Sequence, residues 1–231
     1  MSNIDDETVR AKMRKLRVST FADVFYEIVN DEAYADALPE DIFLAAVEEA
    51  YTQRQQRNIA KAITQAQFRY PDASLAEVTR AEQRGINMRQ LKRIAATNWR
   101  ENPTNIHILA PTGTGKTYIV CAIGVAACQA GYSVAYYRLD QLVDMLAVFS
   151  PTDQNYLDKM RKLINVDVLI IDDFMTMSIN QRGQEDLSKI IFDRDGRLPT
   201  LISSQSAAAY WVEALPLSLI HISEPTRRYA I

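Results

Sequence analysis

The chain has 231 residues, of which 48% are hydrophobic and 24% charged, with a formal net charge of −3. This is ordinary globular composition, enough for one large or two small domains. No uncharged apolar run is long enough to predict a transmembrane helix. The acidic start, Met-Ser-Asn-Ile-Asp-Asp-Glu, lacks the apolar stretch of a secretory signal, so a cytoplasmic protein with no membrane partner is expected.

The charge is unevenly spread. Residues 1–50 hold 5 basic and 12 acidic residues, whereas residues 51–100 hold 10 and 3. Such asymmetry predicts two surfaces with different partners. The first seventy residues read as all-helical. Pro39 suits a first helical position, and Glu40 and Asp41 follow where the helix dipole favours acids. From there a helical pattern runs to about Phe68. Ile59, Ile63 and Ala66 share one face, and Arg54, Arg57 and Lys61 the opposite one. Tyr70-Pro71-Asp72 is expected to stop the helix, because a residue before proline avoids the helical region. A boundary is placed there, with an N-terminal helical domain over 1–70. A shorter helix is predicted from Met88 to about Trp99, before a turn at Asn102-Pro103.

After Pro103 short apolar runs alternate with helical stretches. Strands are predicted at 106–109, 133–137, 168–171 and 200–203. Helices are predicted at 116–130, 141–148, 156–164 and 184–192. This alternation is the pattern of a parallel sheet covered on both faces, an α/β fold. Cys121 and Cys128 fall seven apart on one helix, about 10 Å by the helical rise. That is too far for a disulfide and predicts reduced core thiols.

The strongest local signal is Ala110-Pro111-Thr112-Gly113-Thr114-Gly115-Lys116-Thr117, between a predicted strand and a predicted helix. It is a P-loop (Walker A). A triphosphate requires inward-pointing backbone N–H groups, so the loop requires glycines. Pro111 to Thr117 are therefore expected to bind ATP. Lys116 would neutralise the β- and γ-phosphates, and the Thr117 hydroxyl would bind Mg²⁺. Ala110 replaces the usual first glycine.

The second signal is Val168-Leu169-Ile170-Ile171-Asp172-Asp173. The uninterrupted apolar run reads as a strand buried on both faces, ending in two acids where ligands of such sheets bind (Walker B). Asp172 would hold Mg²⁺. Asp173 occupies the place of a base that activates water, although many ATPases have glutamate there, one methylene longer. In Leu201-Ile202-Ser203-Ser204-Gln205, Ser204 or Gln205 is placed to sense the γ-phosphate. Arg54, Arg57 and Lys61, with Arg69, Arg80, Arg84, Arg89, Lys92 and Arg93 nearby in sequence, form either a solvated face or a duplex DNA contact. His107, Tyr136, Tyr137 and Trp99 read as packed residues, and no metal-ligand cluster is evident.

At these motifs the chain resembles the IstB/DnaC family of AAA+ ATPases, in its transposition-helper branch. The resemblance runs from about Lys15 to Pro216. It rests on Met13-Arg14-Lys15-Leu16-Arg17, Phe68-Arg69-Tyr70-Pro71-Asp72-Ala73 and the P-loop. It rests also on Gly131-Tyr132-Ser133-Val134, Asp172-Asp173-Phe174, and Ile202-Ser203-Ser204-Gln205 with Trp211 after it. It implies an AAA+ three-layer ATPase domain over 71–216 behind a small helical domain. The implied function is an ATP-dependent helper that forms a homo-oligomer on duplex DNA and engages a transposase. A helicase loader, or an assembly module with little hydrolysis, are the rival readings. Two departures stand out. Met175 replaces the usual glycine after Asp-Asp-Phe, and residues 217–231 match nothing in the family. The family's arginine-bearing C-terminal segment is expected to be missing, leaving Arg194 and Arg197 as earlier candidates for an interface arginine and turnover impaired.

Overall fold

The computed structural model describes residues 6–79, 85–176, 178–205, 211 and 228–230. The chain divides into two compact units, residues 1–61 and 62–231. In the first unit, α1 (Asp6–Lys15), α2 (Ser19–Val29) and the first part of α3 (Pro39–Ala66) supply the helices. Its small core consists of Val24, Ala46 and Ala50, with Phe21, Phe25 and Ile28 packed on it.

The domain boundary differs from the sequence expectation near residue 70, for a packing reason. Ala66 and Phe68 are buried with the core of the second unit, and Ala62 and Ile63 pack against it. The helix stop also differs. α3 ends at Ala66 because Gln67 adopts a left-handed conformation, φ +58°, a common way to end a helix. Pro71 plays no part in the ending.

The second unit contains α4 (Met88–Ala95), β1 (Ile106–Leu109), α5 (Lys116–Gln129), β2 (Val134–Arg138), α6 (Leu139–Ala147), α7 (Gln154–Asn165), β3 (Val168–Asp172), α8 (Gln181–Arg194), β4 (Thr200–Ser204) and β5 (Arg228–Ala230). The order is β2-β3-β4-β1-β5, all parallel. The three-residue β5, in the tail that matches nothing in the family pattern, pairs with β1. A strand there hydrogen-bonds an otherwise open edge of β1. The rest of that tail lies outside the described residues.

Alternation along the strands builds two cores, one on each face. Ile106, Ile108, Val134, Tyr136, Val168, Ile170 and Leu201 point to the side of α4 and α5. Ala135, Leu169, Ile171 and Ile202 point to the side of α6, α7 and α8. This is the three-layer arrangement expected of a parallel sheet. Cys121 and Cys128 are free and buried, and burial pushes both thiols up to about 11.

Two buried features hold the layers. Arg194 is 1% exposed and donates to the carbonyls of Leu163, Val166 and Pro199 at 2.8, 2.8 and 2.6 Å and to Thr200 Oγ1 at 3.1 Å. It satisfies the last carbonyls of α7 and the entry to β4. Burial lowers its guanidinium to about 10, still protonated at neutral pH. The candidate interface arginine at 194 is thus a structural staple. Arg197 is exposed and caps the same region through Ile164 O and Asn165 Oδ1.

The second feature is Gly124 in α5. A Cβ there would stand 2.5 Å from Phe68 Cε1 and 2.8 Å from Ile170 Cδ1. The glycine lets the Phe68 ring and β3 close on the helix that follows the P-loop. Gly124→Ala is expected to destabilise the protein by about 1–3 kcal/mol through overpacking, read as a lower urea midpoint. Adding Phe68→Leu should recover part of the loss.

Candidate nucleotide site

The carboxyl ends of β1, β3 and β4 meet at one edge of the sheet, where parallel sheets bind ligands. The loop between β1 and α5 needs left-handed backbone at Gly113 (φ +80°) and Gly115 (φ +82°). Gly115 is the residue preceding α5, so the free N–H groups of the helix start face the loop's concavity. Ala110 takes the first motif position without disturbance, its N–H bonded to Ser204 O at 3.2 Å. Thr114 Oγ1 donates to Pro111 O at 2.8 Å and closes the loop on itself.

Lys116 is 6% exposed, and its Nζ also donates to Pro111 O at 2.8 Å. An ammonium has three protons, so this bond orients the group and leaves two for phosphate. Burial lowers its pKa, opposed by the charges of Asp173 and Asp172. The lysine and both acids therefore share one electrostatic site.

Asp172 ends β3 fully buried. Its Oδ1 accepts from Ser203 Oγ on β4, and its Oδ2 accepts from Tyr136 OH on β2 at 2.9 Å. Burial first, and then the charge of Asp172, push the Tyr136 phenol far above its ordinary range, so it remains a donor. Asp173 differs. Its backbone is left-handed, φ +51°, and turns the side chain away from the strand. There Oδ2 pairs with Arg138 Nε at 3.4 Å, and the same guanidinium reaches Asp140 at 3.0 Å.

The segment after Asp173 is tied down through Phe174, which is 1% exposed. Its N–H donates to Ser203 O at 2.8 Å, and its carbonyl accepts from Ser204 Oγ at 2.7 Å. Its ring packs edge-on against Trp211 at 4.8 Å, which also meets His107 at 5.2 Å. Met175 then takes φ +55°, a conformation that favours glycine, the residue the family pattern has there.

This geometry divides the two sensor candidates. Ser204 is fully buried, and its hydroxyl donates to Phe174 O. Gln205 reaches the phosphate loop: its Oε1 accepts from Thr112 Oγ1 at 2.6 Å. Tyr136, Ser203 and Arg138 were missed by the sequence reading. The available signal was a hydroxyl at the second-last position of β4 and a polar tip within the apolar β2.

The group such a loop implies beside ATP is Mg²⁺. Among the described residues no group of three or more His, Cys, Asp or Glu can hold a metal. Mg²⁺ keeps waters and substrate phosphates and takes one or two protein ligands. Thr117 and Asp172 are the residues that would hold it. Arg54, Arg57 and Lys61 belong to the other unit, all exposed. Arg54 and Arg57 line a groove with Phe21, Phe43, Val47 and Tyr51. Arg57 is bonded locally to Thr20 Oγ1 at 2.5 Å and Gln53 O at 3.3 Å.

Residues 11–218 match the family model described as IstB-like ATP binding protein. The chain belongs to that family. It is 32% identical over 152 residues to a Pseudomonas fluorescens protein named as an ATP-binding protein of insertion sequence IS1162; the match covers 66% of this chain and 65% of that relative. It is 28% identical over 204 residues to the insertion-sequence ATP-binding protein y4pL of Sinorhizobium fredii, covering 88% and 82%. Among solved structures, the DnaC helicase loader superposes with TM-score 0.59 at 17% identity, over 71% of this chain and 98% of that one. AMPPCP-bound DnaA from Aquifex aeolicus gives 0.56 at 20%, over 70% and 50%. These likenesses show a fold shared with DnaC and DnaA, and the family establishes ATP binding. Among the described residues no helix is long and apolar enough to cross a membrane.

Lys116→Ala removes the ammonium from among the phosphates, where charge-assisted bonds are strong. ATP affinity measured by calorimetry is expected to fall at least about tenfold, roughly 1.4 kcal/mol.

Proposed function

We propose that this protein is a Mg²⁺-dependent ATPase that serves an insertion-sequence transposase, assembling as a homo-oligomer on duplex DNA. The observation that carries hydrolysis is the convergence of Lys116, Asp172, Asp173 and Gln205 at one edge of the sheet. Lys116 and the loop amides hold the triphosphate. Thr117 and Asp172 would hold Mg²⁺, which would supply Lewis-acid stabilisation of the phosphate charge. Asp173 accepts a proton from the attacking water, and Gln205 contacts the γ-phosphate with its amide N–H. Insertion-sequence relatives support the transposase as partner, and a cytoplasmic location follows from that role. The DnaA likeness, which includes a form bound to AMPPCP and single-stranded DNA, supports nucleic acid as a second partner.

One observation favours a slow enzyme, closer to an ATP-operated assembly module than to a rapid motor. Arg138 engages Asp173, and aspartate reaches one methylene less far than glutamate. The guanidinium stands on the Oδ2 side of the carboxylate and competes with the attacking water for it. Asp173→Asn is expected to spare ATP binding and to lower turnover by about 10²-fold or more, in line with loss of a general base. Loss of binding in the same variant, read by calorimetry beside a phosphate-release assay, would remove Asp173 from the catalytic role.

DNA contact is assigned to the exposed Arg54, Arg57 and Lys61. Replacing all three by Gln should weaken binding to duplex of unrelated sequences equally. Each lost phosphate contact should flatten the log–log salt slope by about 0.9. An unchanged slope in fluorescence anisotropy would make this face merely solvated, and preference for single strands with binding to a helicase would favour the loader reading.

A further inference from the structure

We infer that Tyr136 and Ser203 are positioning residues for the metal site: their hydroxyls clamp the two oxygens of Asp172 and present its remaining lone pairs to Mg²⁺. This rests on the reading of Asp172 as a Mg²⁺ ligand. The three residues come from adjacent strands, β2, β3 and β4, and all are buried, Tyr136 at 5% and the other two at 0% exposure. One oxygen accepts from each neighbour, so the carboxylate cannot rotate about its Cβ–Cγ bond without breaking both bonds. Each oxygen of a carboxylate carries two lone-pair sites. One per oxygen is used by the clamp, and one remains.

The chemistry of the donors gives the clamp its meaning. A buried carboxylate requires hydrogen-bond partners. Lysine or arginine in contact would supply them and also cancel the charge that attracts a cation. Two neutral hydroxyls fix the group without adding a positive charge beside it. The adjacent acid makes the contrast. Asp173 is paired with the Arg138 guanidinium, whereas among the described residues Asp172 forms no ion pair within 4.0 Å. Of the two consecutive acids, only Asp172 is held by two neutral hydroxyls with no direct ion pair among the described residues, the Lys116 ammonium acting on it only at longer range. The Tyr136 ring is held independently, at 6.1 Å from the Phe68 ring, so Tyr136→Phe removes the hydroxyl and keeps the packing.

The test is equilibrium binding of a fluorescent non-hydrolysable ATP analogue, titrated with Mg²⁺ and repeated in EDTA. The proteins are wild type, Tyr136→Phe, Ser203→Ala, Ser203→Thr and Asp172→Asn, each checked by thermal melting. Hydrogen-bond partners of metal ligands are typically worth 10–100-fold in metal affinity. Tyr136→Phe and Ser203→Ala are therefore expected to raise the half-saturating Mg²⁺ concentration about tenfold or more. Affinity in EDTA should stay at the wild-type value, and Ser203→Thr, which keeps a hydroxyl, should restore the curve. Tyr136→Phe alone carries the test if Ser203→Ala does not fold. The proposal is overturned if Tyr136→Phe titrates with Mg²⁺ like wild type while Asp172→Asn has lost the response. It is overturned equally if Tyr136→Phe weakens binding in EDTA as much as in Mg²⁺. An Asp172→Asn variant with a wild-type Mg²⁺ curve would remove the metal-site reading itself and the clamp with it.

Discussion

A carboxylate at the centre of a parallel sheet is the constraint around which the site is arranged. Asp172 is fully buried, and an ionised carboxylate taken out of water costs several kcal/mol unless its surroundings compensate. Compensation has to come from the flanking strands, because the two faces of β3 are occupied by Ile170 and Ile171 in the separate cores. β2 contributes a phenol and β4 a serine hydroxyl. The strand order β2-β3-β4 is thereby a requirement of the site as well as a packing solution.

The end of β4 connects this constraint to the rest of the nucleotide site. Ser203 bonds Asp172 through its side chain and Phe174 through its carbonyl. Ser204 secures the carbonyl of Phe174, and Gln205 reaches Thr112 in the phosphate loop. Three successive residues thus link the loop, the buried acid and the turn carrying Asp173. On the other face of the sheet, Gly124 permits Phe68 to lie against α5 and Ile170, so the segment entering from α3 is packed directly on the helix that carries Lys116.

Much of this was legible in the chain itself. The strands at β1 to β4 and the helices α5 to α8 fall within a few residues of expectation, because a parallel sheet buried on both faces writes continuous apolar runs such as Val168–Ile171 between helical stretches. The phosphate loop was legible for a stricter reason. Gly113 and Gly115 adopt conformations that other residues resist, so the requirement is local and appears as residue identity. Asp172 and Asp173 could be recognised because position at a strand end suffices to place them.

What the tertiary structure alone decided is which side chains face one another across strands far apart in sequence. Tyr136 and Ser203 lie 36 and 31 positions from Asp172, and no local pattern distinguishes them from core tyrosines or strand-end serines. The same holds for Arg194, which local reasoning left available for an interface and which packing turned into a buried staple for α7 and β4. It holds too for the end of α3, where a left-handed Gln67 stopped the helix before proline could. Local backbone requirements are carried by single residues and survive in the sequence. Hydrogen-bond partnerships across a sheet depend on register and strand order, which exist only once the chain has folded.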